Sequence, residues 1–127
     1  MTQALELIEV SVDYHRGGQP VHALDSVSLA IGRSESVAVM GPSGCGKSTL
    51  LGVLALTIPP TSGSVLVGGV PAPSSPDGRA RTRNRLLGLI PQSGAVIDHL
   101  SVLANVSLPL EYSRPRTRRR DRYERAR

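Results

Sequence analysis

Gly41-Pro-Ser-Gly-Cys-Gly-Lys-Ser-Thr49 is the stretch that decides the reading of this 127-residue chain. It fits the pattern G-x-x-x-x-G-K-[ST], with Gly41, Gly46, Lys47 and Ser48 at the fixed positions. Gly41, Gly44 and Gly46 allow backbone conformations closed to other residues and bring main-chain N–H groups up to an anion. Such N–H groups form a concave nest that cradles phosphates. A helix beginning at about Lys47 adds its own unsatisfied N-terminal donors, with a partial positive charge of roughly half a unit. In this reading Lys47 reaches the β- and γ-phosphates of a nucleotide, and the Ser48 hydroxyl completes a Mg²⁺ shell. Ser43, Gly44, Cys45 and Thr49 complete the predicted nucleotide contacts.

The flanks supply the required order of elements. Ser36-Val-Ala-Val-Met40 is a short, β-branched apolar run that predicts a buried parallel strand. Thr49 to Leu56 is apolar and helix-compatible, and stops before Pro59-Pro60. A chance glycine-rich turn is the alternative reading of the motif. Against it stands the use of basic residues: 14 are arginine, and Lys47 is the only lysine in the chain. A compact ammonium is kept where a phosphate needs a point charge.

Composition bounds the remaining possibilities. Hydrophobic content of 39% with 20% charged residues is ordinary for a soluble globular protein, and without Phe or Trp the core must be aliphatic. One cysteine excludes an internal disulfide and suggests a reducing compartment. The first residues lack the blocks of a secretion signal, and no apolar run approaches the roughly 20 residues of a membrane span. The net charge of +5 sits in the tail: Arg114–Arg127 carries eight arginines against Asp121 and Glu124. Such a tail could bind RNA or anionic lipid headgroups, or be a solvated charged helix, the reading under which nucleic acid is not the expected partner. His15, His22 and His99 share no metal-ligand spacing, so no zinc site is expected. Cys45, near a helix start, is either a reactive thiol or a small residue at a variable position.

Along the chain, Leu5–Val12 and Val21–Ile31 read as an antiparallel strand pair around a loop at residues 13–20. Ser64–Val67 reads as a short strand, residues 71–78 as loop, and Arg79–Arg85 as a short solvated helix. Leu86–Ile90 reads as a second buried strand closed by Pro91-Gln92. Ser101–Leu110 predicts a helix ending near Pro109, and Arg116–Arg127 is helix-compatible.

With these pieces in place, the chain resembles the nucleotide-binding subunit of ATP-binding cassette transporters. The likeness is to the subgroup serving lipoprotein-release, macrolide and antimicrobial-peptide exporters. It is carried by Tyr14 after the first strand, Val21–Ile31, the glycine loop, Pro60-Thr-Ser-Gly63, Leu87-Gly-Leu-Ile-Pro-Gln92 and His99–Leu110. The resemblance implies an α/β fold: an incomplete P-loop NTPase core with an N-terminal antiparallel β region. It divides the chain into an antiparallel β region (1–35), a phosphate-loop core reaching the glutamine loop (36–92) and the start of a helical region (93–127).

The resemblance further implies that Tyr14 stacks on the adenine of ATP, and that Gln92 touches Mg²⁺ and the attacking water and relays nucleotide state. Lys47 and Gln92 are thereby the expected catalytic residues, Ser48 and Gln92 the expected metal ligands. Ser93–Ser101 is then expected to face a transmembrane permease subunit, and the whole domain to act as a homodimer on the cytoplasmic face of the cell membrane. An L-S-G-G-Q signature, an acidic strand and a switch histidine are absent from the sequence. The expectation is therefore the N-terminal part of such a domain, which binds nucleotide and does not hydrolyse it alone. The alternatives are a non-enzymatic nucleotide-binding or interaction fragment, or a nucleic-acid binder acting through the arginine-rich tail.

Overall fold

The computed structural model describes residues 3–92 and 96–111. They fall into two units, Met1–Thr82 and Arg83–Arg127, each described by itself. The helix expected over 116–127 and the basic tail lie outside the described residues, as do Ser93 to Ala95.

The first unit is built on β1 (Leu5–Arg16), which is paired antiparallel along both edges. β2 (Gln19–Ile31) lies on one side; β3 (Ser62–Val67) and then β4 (Val70–Pro71) lie on the other. The loop expected over 13–20 shrinks to Gly17-Gly18, with φ of 59° and 81°. Positive φ at both positions is the two-residue turn whose twist matches the strands it joins. Gly68-Gly69 repeats the device, with φ of 59° and 80°, and adds β4, which the sequence reading missed behind Pro71. The antiparallel sheet therefore draws two of its strands from beyond residue 35.

β1 does not alternate cleanly, and its bulges explain why. Leu7, Val10 and Val12 are buried, so one residue is inserted between the first two. Glu9 takes that position at φ 47°, and Ser26 makes the matching irregularity in β2 at φ 48°. A bulge leaves amides out of the ladder. Here serine hydroxyls accept them: Glu9 N–H donates to Ser28 Oγ at 3.0 Å, and Ser26 N–H to Ser11 Oγ at 2.9 Å.

The core lies between one face of this sheet and α1 (Lys47–Leu54): Leu7, Val10, Val12, Leu24, Val65 and Val67 meet Val53, Leu54 and Leu56. Each such side chain taken out of water contributes about 1.5–3 kcal/mol. α1 ends in a left-handed cap. Leu56 has φ 57°, its N–H donates to Val53 O at 2.9 Å, and Thr57 N–H donates to Gly52 O at 2.8 Å. This pair of bonds satisfies the last carbonyls and stops the helix before the prolines act.

Two expected strands are not formed. Ser36–Met40 forms no regular element and pairs with no strand among the described residues, leaving Val37 and Met40 44% and 88% exposed. In the second unit, residues 87–90 are likewise outside any ladder, with Ile90 96% exposed. Both runs have the composition of parallel strands, which are stable only between neighbours and under covering helices. Composition makes a run strand-like; pairing needs a second segment, and no described strand supplies one. Leu86 goes instead to α2 (Pro76–Leu86), an exposed helix that begins earlier than expected because Ser75 Oγ accepts the Gly78 N–H at 3.1 Å. α3 (Val102–Glu111) is capped by Ser101 Oγ, which accepts the Ala104 N–H at 3.2 Å, and runs past Pro109.

Candidate nucleotide-binding site

Where β2 meets α1, the glycine loop is pressed against the sheet. Gly46 has φ 92°, and a Cβ there would lie 2.4 Å from the Ala23 carbonyl oxygen of β2. Only glycine permits both the conformation and the approach. Gly46 is also the N-cap of α1, which has no side-chain cap and no acidic residue in its first turn. The helix therefore presents its orphan donors uncapped, at the positive end of its dipole.

The loop's amides are mostly free of internal partners. Among the described residues, Cys45 N–H donates to Pro42 O at 3.5 Å, while the amides of Ser43, Gly44 and Gly46 donate to no protein acceptor. A Cβ on Gly44 would meet nothing within 4 Å, so space is open beside that amide. The Lys47 ammonium folds back over the loop: Nζ donates to Gly41 O at 2.8 Å, to Pro42 O at 2.6 Å and to Cys45 Sγ at 3.6 Å. Gly41, Pro42, Cys45 and Lys47 are thus held together by one cation. The thiol is the weakest of its three acceptors, and an anionic oxygen competes with it at least cost. Ser43 and Ser48 are exposed, Thr49 is half-buried, and the Ser48 hydroxyl makes no protein hydrogen bond among the described residues.

Strand register relates Tyr14 to this loop. Val12 pairs with Leu24 and Tyr14 with Val21. Alternation puts Tyr14 on the face of β1 that carries Val10 and Val12, the face that α1 covers. Tyr14 is thus two residues, roughly 7 Å, along the sheet from the Val12–Leu24 pair against which the loop rests. Tyr14 is 40% exposed. Asp13 and His22 alternate with Tyr14 and pair at 2.7 Å through Oδ1 and Nδ1.

Gln92 stands in the second unit, exposed in a bend, and is described there by itself. No group of three or more His, Cys, Asp or Glu suited to a metal occurs among the described residues. The donors present are hydroxyls of the kind that hold Mg²⁺ together with phosphate oxygens and water. A cavity of about 280 Å³ lies elsewhere, among Val53, Leu56, Pro60, Val65, Pro71 and Arg79, and contains none of the expected site residues. No described helix is long and apolar enough to cross a membrane. Sequence reasoning missed the Ala23 carbonyl, which makes Gly46 obligatory; no local pattern signals a contact from another strand.

Comparison with known proteins agrees with this geometry. The family model for the ABC transporter matches residues 24–127. The lipoprotein-releasing system ATP-binding protein LolD of Bordetella avium is 42% identical over 108 residues, 84% of this chain and 47% of that protein. The macrolide export ATP-binding/permease protein MacB of Chlorobaculum tepidum is 41% identical over 110 residues, covering 86% of this chain and 17% of that protein. A dimeric, post-hydrolysis structure of the ATP-binding cassette MJ0796 bound to ADP and Pi superposes with a TM-score of 0.86 at 33% identity, over 96% of this chain and 53% of that one. The chain spans about half the length of LolD and of the MJ0796 cassette. A glycine loop seated between an antiparallel sheet and an uncapped helix, in a chain matched over most of its length, settles its kinship: the chain belongs to the ABC transporter family and carries the cassette's P-loop α/β fold.

Proposed function

We propose that residues 41–49 bind the phosphates of ATP with Mg²⁺, as the nucleotide-binding part of an exporter-type ABC ATPase. The observation that carries this reading is the set of unpartnered loop amides at an uncapped helix start, under a single ammonium. Gly44, Gly46 and the first turn of α1 donate to phosphate oxygens, and Lys47 supplies the charge. Ser48 would hold Mg²⁺, and Tyr14 would offer a π-face to the base, which a stacked ring can hold without reading its edge. Bound Mg²⁺ would supply charge neutralisation on the phosphates.

Dimerisation, hydrolysis and the driving of a transmembrane permease from the cytoplasmic face belong to the complete domain. The 127-residue chain binds nucleotide without turning it over. Support for a membrane partner lies in α3, where Val102 and Val106, one turn apart, are 81% and 54% exposed. Residues 87–111 carry no Lys or Arg in a chain of net charge +5. A face of that kind suits a basic amphipathic helix. Titration of ATP, ADP and AMP with Mg²⁺ into the chain tests the phosphate site: affinity should fall as phosphates are removed, and Lys47→Ala should abolish that order. Equal affinities for all three would refute it, and Lys47-dependent hydrolysis by this chain would refute the claim that it does not turn over.

A further inference from the structure

The cavity at the far end of α1 lies wholly within the first unit and includes no residue of 41–49. Three of its lining residues, Val53, Leu56 and Val65, are buried and aliphatic. Its walls are stiff. Pro59, Pro60, Pro71 and Pro73 all belong to the lining, each with φ held by its ring. The turn at Thr57 and Ile58 is tied to α1, because Thr57 N–H, Thr57 Oγ1 and Ile58 N–H all donate to Gly52 O, at 2.8, 2.9 and 3.0 Å. Ala72 N–H donates to Val65 O at 2.7 Å. Pro73 packs so closely on α2 that a Cβ on Gly78 would lie 2.5 Å from its own Cβ. A pocket with such walls loses little freedom when it is filled.

Protein interiors leave few voids larger than a water molecule. This cavity, of about 280 Å³, exceeds the roughly 150 Å³ that admits benzene. Arg79 is the one charged residue among its described lining residues. Its Nη1 donates to Ser74 O, and it forms no ion pair among the described residues. The other edge of the guanidinium, Nε and Nη2, has no protein acceptor there and presents two parallel N–H groups, a fork that matches a carboxylate. We propose that this cavity binds a small amphiphilic carboxylate, with a short acyl chain against Val53, Leu56 and Val65 and the carboxylate on the Nε–Nη2 edge of Arg79.

Hexanoate, 1-hexanol and acetate, titrated separately into the ¹⁵N-labelled full chain, read the two halves of the site through amide shifts. Hexanoate should move the Leu56, Val65, Ala72 and Arg79 amides. It should bind about tenfold more tightly than hexanol, the contribution of a charge-assisted pair, and more tightly than acetate, which has no chain to bury. In Arg79→Gln, hexanoate and hexanol should bind alike, while Arg79→Lys should recover part of the difference. Both substitutions fall at a half-buried position on a helix, and circular dichroism should show wild-type helicity. Hexanoate binding should be unchanged in Lys47→Ala, so failure of the phosphate site registers separately. No hexanoate-dependent shift at these amides, equal affinity for hexanoate and either control, or a difference that survives Arg79→Gln overturns the site. So do shifts confined to residues 43–48 or lost in Lys47→Ala, which would put hexanoate on the glycine loop. A ligand-free shift of the same amides with protein concentration overturns it too, because a second copy would then fill the cavity.

Discussion

Gly46→Ala separates what the motif glycine does for the fold from what it does for phosphate. At φ 92°, alanine enters the left-handed region, which costs about 1–2 kcal/mol. Its Cβ would also stand 2.4 Å from the Ala23 carbonyl oxygen, a backbone atom within a paired strand. That atom cannot rotate away, so α1 and β2 must part. Overpacking of this kind costs about 1–3 kcal/mol, for a total of about 2–5 kcal/mol. Gly44→Ala is the internal control, because φ is 81° and a Cβ would meet nothing within 4 Å. Only the conformational cost of about 1–2 kcal/mol applies there. Urea unfolding followed by circular dichroism should place the Gly46→Ala midpoint on the order of 1 M below that of Gly44→Ala. If the two variants unfold at the same concentration, the loop does not lean on β2, and the relation drawn between loop, sheet and Tyr14 fails with it.

Other outcomes follow from the same contacts. Lys47→Arg should not restore the nucleotide affinity lost in Lys47→Ala, because a planar fork cannot replace an ammonium between two carbonyls 2.8 and 2.6 Å away; full rescue in a fluorescent-nucleotide titration would contradict this. Tyr14→Ala should weaken ATP by about 1–3 kcal/mol while Tyr14→Trp retains it, read in the same assay. Ser11→Ala removes the acceptor for the Ser26 amide at the β2 bulge and should cost about 1 kcal/mol in urea unfolding, whereas Ser11→Thr should not. Val53→Ala, at a fully buried site facing the sheet, should cost roughly 1–3 kcal/mol, and a neutral result would place α1 off the core.

How far these features were legible in the sequence depends on the range of the interaction. The helix start at Lys47 and the glycine turns are local, set by residues that alone tolerate the backbone they adopt. The Glu9 and Ser26 bulges were not legible, because the hydroxyls that satisfy them lie 19 and 15 residues away. β4 was hidden by Pro71, an edge position where the missing amide costs nothing. Residues 36–40 and 86–90 were read from composition as buried strands, and neither forms one. Pairing, however, is a property of two segments, and no described strand answers either one. The family resemblance rested on ordered local motifs, which is why it survived these errors.

The central claim is that main-chain amides of the glycine loop hold a triphosphate beneath Lys47. Amide chemical shifts of ¹⁵N-labelled chain, titrated with Mg·ATP, measure this most directly. The largest changes should fall on Ser43, Gly44, Gly46, Lys47 and Ser48, saturate together, and vanish in Lys47→Ala. Changes that bypass these amides, or persist undiminished without the lysine, would contradict it.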